Sequence, residues 1–343
     1  MAIATSRGVL TALLQTLDQS GPLVILPHDN PDPDALASAA ALKYIVATLL
    51  KKEAQIGLGG IVGRAENRAM LTYLNITLVP VSEVCFDGES QIALVDTQPG
   101  RSNNSLPDGV VPTVVIDHHP AYASYGGVSF LDLRDQYGAT STILTEYLRD
   151  LKLDLEPKIA TALFYGIAAE TQDLGREATA ADIEASHFLY PYTNKRRLAK
   201  IENARVPREY FRVFREAIER ATLYERVVVS MLGEVQYPDM MAEVADFLLR
   251  LDQVEWAAAI GTFGSSLHCS VRTTDREVNA GELLQRVLGS KSAGGHDMIA
   301  GGRIEVGDDP VVRERAAGMV RDRLLAALGV DPAGGQPLVV ASV

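Results

Sequence analysis

Cysteine is scarce in the 343 residues: Cys85 and Cys269 are the only two. Two thiols exclude a disulfide framework, and neither stands near the acidic and imidazole groups discussed below, which excludes a thiolate zinc or iron–sulfur site there. Long apolar runs are also missing. The best stretch, residues 35–50, is cut by Lys43, so nothing reaches the ~18 uninterrupted apolar residues of a membrane span. Residues 1–7 lack the layout of a signal peptide, and a cytoplasmic protein without a membrane partner is expected. Positive charge is in deficit: 32 Lys and Arg against 44 Asp and Glu leave a net charge of −12. Duplex nucleic acid is held through many Lys and Arg contacts to phosphate, so long duplexes are excluded as partners. Phosphate chemistry here must rest on metal ions or a few placed cations.

What is present is ample core material, 47% hydrophobic against 22% charged, in a chain long enough for about two domains. The runs 23–26, 91–95 and 113–116 are continuously apolar, the pattern of strands buried on both faces. Helical patterns at 34–50, 139–151 and 157–169 intervene or follow, with a further short strand at 128–131. Alternating strands and helices predict an α/β fold with a doubly wound, mostly parallel sheet. The stretch 191–226 is rich in Arg, Lys and Glu and reads as a helical connector, with a helix over 206–223. A second cycle follows: an apolar run at 227–229, a helix at 241–251, paired strands at 256–263 and 267–272, and a last helix at 310–328. The expected division is a first domain 1–190, a connector 191–226, a second, smaller α/β domain 227–331, and a loose tail 332–343.

Three of the apolar runs end in acidic or imidazole side chains. The first leads into His28-Asp29-Asn30-Pro31-Asp32-Pro33-Asp34, the second into Asp96, and the third into Asp117-His118-His119. Glu170 closes the apolar helix before it. Taken singly, Asp34 reads as a helix cap and Asp96 as the start of a turn. Adjacent histidines at the end of a buried strand serve packing poorly. Because ligands of an open parallel sheet bind at the carboxyl ends of its strands, three such ends bearing Asp and His point to a metal site. Mixed carboxylate and imidazole donors suit Mn2+, with Mg2+, Co2+ or Fe2+ as alternatives. The donors exceed the needs of one ion. Two ions ~3.5–4 Å apart would match Asp32, Asp34, Asp96 and Glu170 in charge and suit phosphoryl hydrolysis.

These segments resemble the four motifs of DHH-family phosphoesterases, within the branch of short-oligonucleotide (nanoRNA) exonucleases and 3'-phosphoadenosine-5'-phosphate phosphatases. Gly294-Gly295-His296-Asp297 and the residues up to Gly302 are similar to the glycine-rich motif of the DHH-associated C-terminal domain. The resemblance implies that His28, Asp32 and Asp96 hold one ion and Asp34, Asp96, His118 and Glu170 the other, with Asp96 bridging. It implies that His119 faces the scissile phosphate and that Asp117 supports the histidines from behind. Arg272, Gly294, Gly295 and His296 would bind substrate. The family usually has Asp where this chain has Glu170; the longer side chain still offers oxygen donors, and Asp173 is the alternative ligand.

The implied partners are short single-stranded oligonucleotides or small nucleotides, with a homodimer as the assembly. The implied activity is two-metal hydrolysis of nanoRNA, dinucleotides or 3'-phosphoadenosine-5'-phosphate. Cyclic or linear dinucleotide messengers, inorganic pyrophosphate, and a nucleotide-binding regulator weakened at Glu170 are the competing expectations. Thr140 and Ser141, at a helix start, read equally as phosphate donors and as caps.

Overall fold

The computed structural model describes residues 6–101, 103–122, 125–176, 178–295 and 297–339. The chain forms two compact units, Met1–Ala204 and Arg205–Val343. The first unit runs α1 (Ser6–Leu17), β1 (Leu23–Leu26), α2 (Pro33–Leu49), β2 (Ala54–Leu58), α3 (Ala65–Leu74), β3 (Val79–Pro80), β4 (Gln91–Val95), β5 (Val114–Asp117) and β6 (Phe130–Leu133). It then continues through α4 (Thr140–Asp150), α5 (Pro157–Glu170), α6 (Ala180–Leu189) and α7 (Lys195–Glu202). Its six strands are all parallel, in the order β3-β2-β1-β4-β5-β6. The order reverses between β1 and β4, so the crevice of the sheet opens at the carboxyl ends of those two strands.

Every residue of β1, β4 and β5 is buried. Alternation sorts them into two layers. Leu23, Ile25, Ala93, Val95, Val114 and Ile116 pack with the helices, whereas Val24, Leu26, Ile92, Leu94 and Val115 meet Val84 and the loop residues Leu106, Val110 and Val128. The strand order is that of a doubly wound sheet, but the described helices share one face and loops cover the other. Those loops, following β4 and β5, reach the strand ends where the site lies. Helix α2 is buried along nearly its whole first half, and its alanines let α5 come close. At Gly166 of α5 an added Cβ would lie 3.1 Å from Ala37 Cβ and 2.5 Å from Ser141 Oγ.

The second unit comprises α8 (Arg208–Glu219), β7 (Ala221–Tyr224), β8 (Val227–Glu234), α9 (Asp239–Leu248), β9 (Trp256–Phe263), β10 (Ser266–Thr273), α10 (Ala280–Leu288), β11 (Ala293–Gly295), β12 (Ile299–Glu305), α11 (Pro310–Ala327) and β13 (Gln336–Pro337). Its seven-stranded sheet has the order β11-β12-β10-β9-β8-β7-β13, antiparallel except for β8 with β9. Three expectations change here. The segment 191–226 is not one connector, since α7 belongs to the first unit and α8 to the second. The helical pattern at 206–223 overran because Val213, Ala217 and Ala221 share one core at helical spacing, although Ala221 already stands in β7. The described part of the tail, 332–339, is also tied down: β13 pairs with β7, and Leu338 N–H donates to the Ala221 carbonyl at 2.9 Å. That pairing covers an edge that would otherwise expose unpaired backbone. Among the described residues no helix is long and apolar enough to cross a membrane.

Candidate metal centre

The loop after β1 is held by its own polar groups before any ligand is considered. Asp29 N–H donates to the Asn103 carbonyl, Asn30 N–H to the Gly59 carbonyl, and Asn30 Oδ1 accepts from Ile61 N–H at 2.9 Å. Glycine is needed at 59, where a Cβ would lie 1.7 Å from Asp29 Oδ1. Asp32 caps α2 by accepting from Ala35 N–H at 3.0 Å. Asp96 follows β4 in the left-handed region (φ +60°), a conformation that Asp tolerates and that turns its side chain out of the sheet.

The side chains converge. His28 Nε2 lies 3.6 Å from Asp32 Oδ2 and 3.6 Å from Asp96 Oδ2, and His118 Nε2 lies 3.5 Å from Asp96 Oδ1. Two clusters have donor atoms within 4.8 Å of one another: His28, Asp32 and Asp96; and Asp96, Asp117, His118 and His119. Asp96 is common to both. The ring orientations are set by backbone carbonyls. His28 Nδ1 lies 3.0 Å from the Asp29 carbonyl and His118 Nδ1 lies 3.0 Å from the Tyr137 carbonyl. A carbonyl only accepts, so Nδ1 carries the proton in both rings. In the neutral ring Nε2 then offers its lone pair toward the carboxylates. Nitrogen-to-oxygen separations of 3.5–3.6 Å suit neighbouring donors around a cation bound at about 2.1 Å.

The electrostatics favour a cation. Burial, then repulsion from Asp34 and Asp32, raises the Asp96 carboxyl well above its ordinary range. Burial also raises Asp34, against the attraction of His118 and with the repulsion of Asp32. Glu170 is pushed up to about 7 by burial and by the charges of Asp32 and Asp34. Burial pulls the His28 imidazolium down, but the Asp32 carboxylate and the Asp29 carbonyl override it and bring His28 to about 9. Among the described residues this is a set of carboxylates and imidazoles without a thiol, and its surplus negative charge is what a pair of divalent cations would neutralise. The residues fit such ions.

Asp34 and Glu170 reach the same electrostatic neighbourhood but fall outside both donor clusters. Asp34 is fully buried, and its two oxygens accept from the backbone N–H groups of Thr140 and Ser141 at 2.7 Å each. Helix α4 has no capping side chain of its own, so Asp34 caps it from α2. Thr140 Oγ1 also donates to Asp96 Oδ1 at 2.8 Å. Thr140 and Ser141, expected to meet phosphate or merely cap, instead hold the carboxylates of Asp34 and Asp96. Asp182 supports that corner by accepting from Gly138 N–H at 2.9 Å and Thr142 Oγ1 at 2.5 Å. Asp117 behaves as a support: its Oδ1 lies 2.8 Å from His119 Nδ1, and its Oδ2 accepts from Gln98 Nε2 at 2.7 Å. Gln98 and Asp182 were not singled out from sequence, because nothing local distinguishes them from ordinary surface polar residues.

In the second unit, Arg272 is buried in β10. Its Nε donates to Asp246 Oδ1 at 2.5 Å, and its Nη1 to Ser270 Oγ at 2.9 Å and to the Val271 carbonyl at 3.0 Å. It pairs across the sheet with Ile299, whose carbonyl packs on Gly295. Gly295 has φ +154°, and a Cβ there would meet the Ile299 carbonyl oxygen at 2.1 Å. Around Gly294 a Cβ would meet nothing within 4 Å. His296 lies outside the described residues.

Residues 22–167 match the family model described as the DHH family N-terminal domain, and residues 225–322 match the DHHA1 domain. An uncharacterized protein of Methanocaldococcus jannaschii is 33% identical over 321 residues, 91% of this chain and 65% of that protein. A probable manganese-dependent inorganic pyrophosphatase of Enterococcus faecalis is 27% identical over 169 residues, covering 49% of this chain and 54% of that protein. A probable bifunctional oligoribonuclease and PAP phosphatase NrnA of Streptococcus mutans is 28% identical over 176 residues, 51% of this chain and 49% of its own. The chain thus spans less than two thirds of the length of each of these relatives. An exopolyphosphatase-related protein from Bacteroides fragilis superposes with a TM-score of 0.71 over 96% of this chain and 99% of that one, and at 12% identity it shows a likeness of fold. With both domain models matched in order and the motif residues gathered at the crevice of a parallel sheet, the chain belongs to the DHH phosphoesterase family.

Proposed function

We propose that this chain is a divalent-metal-dependent hydrolase of short nucleotides, releasing mononucleotides from dinucleotides and short single-stranded oligomers and dephosphorylating 3'-phosphoadenosine-5'-phosphate. The observation that carries the reading is the convergence of two donor clusters on Asp96, with His28 and Asp32 in one and His118 in the other. The small-nucleotide class is supported by the DHHA1 match, by the relative named as an oligoribonuclease and PAP phosphatase, and by a net charge of −12, which disfavours long polyanions.

His28, Asp32 and Asp96 would hold one ion, and Asp34, Asp96, His118 and Glu170 the other, with Mn2+ the cation best matched to the donors. Bound there, such ions supply Lewis acidity toward a phosphoryl oxygen and make water more acidic. The protein's own part is orientation. The Asp29 and Tyr137 carbonyls fix the His28 and His118 tautomers, and Thr140 holds Asp96. Asp117 fixes the ring of His119, which would contact the scissile phosphate. Arg272, Gly294, Gly295 and His296 would bind the remainder of the substrate, the arginine supplying a positive charge that its bonds to Asp246, Ser270 and Val271 hold in place.

The test is a panel assayed with Mn2+: RNA and DNA dinucleotides, oligomers of up to ten residues, 3'-phosphoadenosine-5'-phosphate, cyclic and linear dinucleotide messengers, and inorganic pyrophosphate. Mononucleotide release that disappears with chelator and in Asp96→Asn is expected. Pyrophosphate hydrolysis far outpacing every nucleotide, or full activity in Asp96→Asn, overturns the proposal.

A further inference from the structure

We propose that Tyr122, backed by Arg101, is a stacking platform for a nucleobase of the substrate; this rests on the nucleotide reading of the site. Tyr122 is 55% exposed, although its backbone is anchored. Its backbone N–H is shared between Gln98 Oε1 at 2.9 Å and Tyr125 Oη at 2.8 Å. Arg101 covers part of the ring, with Cζ 4.3 Å from the centroid, while its Nη2 donates to the Pro120 carbonyl at 3.4 Å. Gly100 lies under the ring edge: a Cβ there would come to 3.8 Å from Tyr122 Cε1. The ring is therefore covered in part by a guanidinium, and more than half of the residue is open to solvent.

Its location supplies the function. Gln98 is fully buried, and its Nε2 donates to Asp117 Oδ2 at 2.7 Å and to the carbonyls of His119 at 3.1 Å and Pro120 at 3.2 Å. One amide side chain thus joins the support of His119 to the backbone of Tyr122, three residues on. A phosphate at His119 would place its nucleoside within reach of the ring. A flat, half-exposed aromatic next to a phosphate-handling site suits a base, whose π face stacks whatever its identity. The cation beneath the ring adds a charge that favours a phosphate-bearing ligand and polarises the stack. The platform therefore selects for a nucleotide over a bare phosphate compound and discriminates weakly among bases.

The experiment measures binding of AMP and of ribose 5-phosphate to the Mn2+-loaded full chain by calorimetry. The wild type should prefer AMP, and Tyr122→Ala should shrink that preference by about 5- to 150-fold, the range of one base stack. Tyr122→Phe should retain it. As a second readout, Tyr122→Trp places an exposed indole in a chain whose single tryptophan, Trp256, is buried, and AMP should quench its emission. Equal wild-type affinity for the two ligands, an undiminished preference in Tyr122→Ala, or no quenching of Tyr122→Trp overturns the platform. A chain that hydrolyses nothing in the substrate panel yet prefers AMP through Tyr122 refutes the catalytic reading and leaves the platform standing.

Discussion

Replacing Thr140 by valine tests how the carboxylate common to both donor clusters is held. Asp96 leaves β4 in a left-handed conformation, and its Oδ1 accepts from Thr140 Oγ1 at 2.8 Å in a pocket where both residues are buried. A hydrogen bond to a charged group contributes about 1.5–3 kcal/mol. At about 1.4 kcal/mol per decade that is roughly 10- to 150-fold in an equilibrium constant. Valine preserves the shape of the side chain and leaves the Thr140 backbone N–H bond to Asp34 in place. The loss should therefore appear in metal binding and not in folding. Titration calorimetry with Mn2+ against a competing chelator should show affinity weakened by roughly that factor in Thr140→Val, with Thr140→Ser near the wild type. Wild-type affinity in Thr140→Val would refute the idea that this hydroxyl orders the carboxylate. An equal loss in Thr140→Ser would shift the cause from the hydrogen bond to packing.

The metal-free chain should lose stability as pH rises from 5 to 9. Glu170 titrates near 7 and not 4.5, so between those values the folded state binds more protons than the unfolded state and stability falls with rising pH. His28, raised from 6.5 to about 9, adds stability that is complete below 6.5 and lost as pH climbs through 9, a slope of the same sign. Thermal denaturation in chelator checks this: Glu170→Gln should flatten the lower part of the curve, and Mn2+ should stabilise more at pH 8 than at pH 5 because its donors must shed protons. A melting temperature that rises over this range contradicts the assignment. Gly166→Ala should cost about 1–3 kcal/mol by overpacking, because its Cβ would lie 2.5 Å from Ser141 Oγ and 3.2 Å from Asp34 Cα; an unchanged denaturation midpoint would show that the α2–α5 contact gives way easily.

Much of the first unit was legible in the chain itself. β1, β4 and β5 stood out because strands buried on both faces must be apolar at every position, and their acidic and imidazole ends followed directly. β2 was not foreseen: Ala54-Gln-Ile-Gly-Leu is short and interrupted by a polar and a glycine residue, although Ala54, Gln55 and Ile56 pair with β1. Helices α3, α6 and α10 escaped for a related reason, since their patterns run for only nine or ten residues. The overrun of the helix at 206–223 into β7 shows the limit of periodicity where a core residue falls at the right spacing on both sides of a boundary.

The donor types were equally legible, because His28 to Asp34 and Asp117 to His119 concentrate their chemistry in single short segments. What each donor meets was not. Asp34 reads as a cap for its own helix, yet its oxygens bond α4, more than a hundred residues on. Glu170 reads as a metal donor, but its pull toward neutrality arises from burial and from Asp32 and Asp34, neither of them near it in the chain. Residue type and hydrophobic period are properties of neighbouring positions, so the polymer alone determined which strands run through the core and which of them end in metal-loving groups. Hydrogen bonds and charge coupling depend on separation through space and on exclusion of water, and only the packing of α2, α4 and α5 against the sheet decided those.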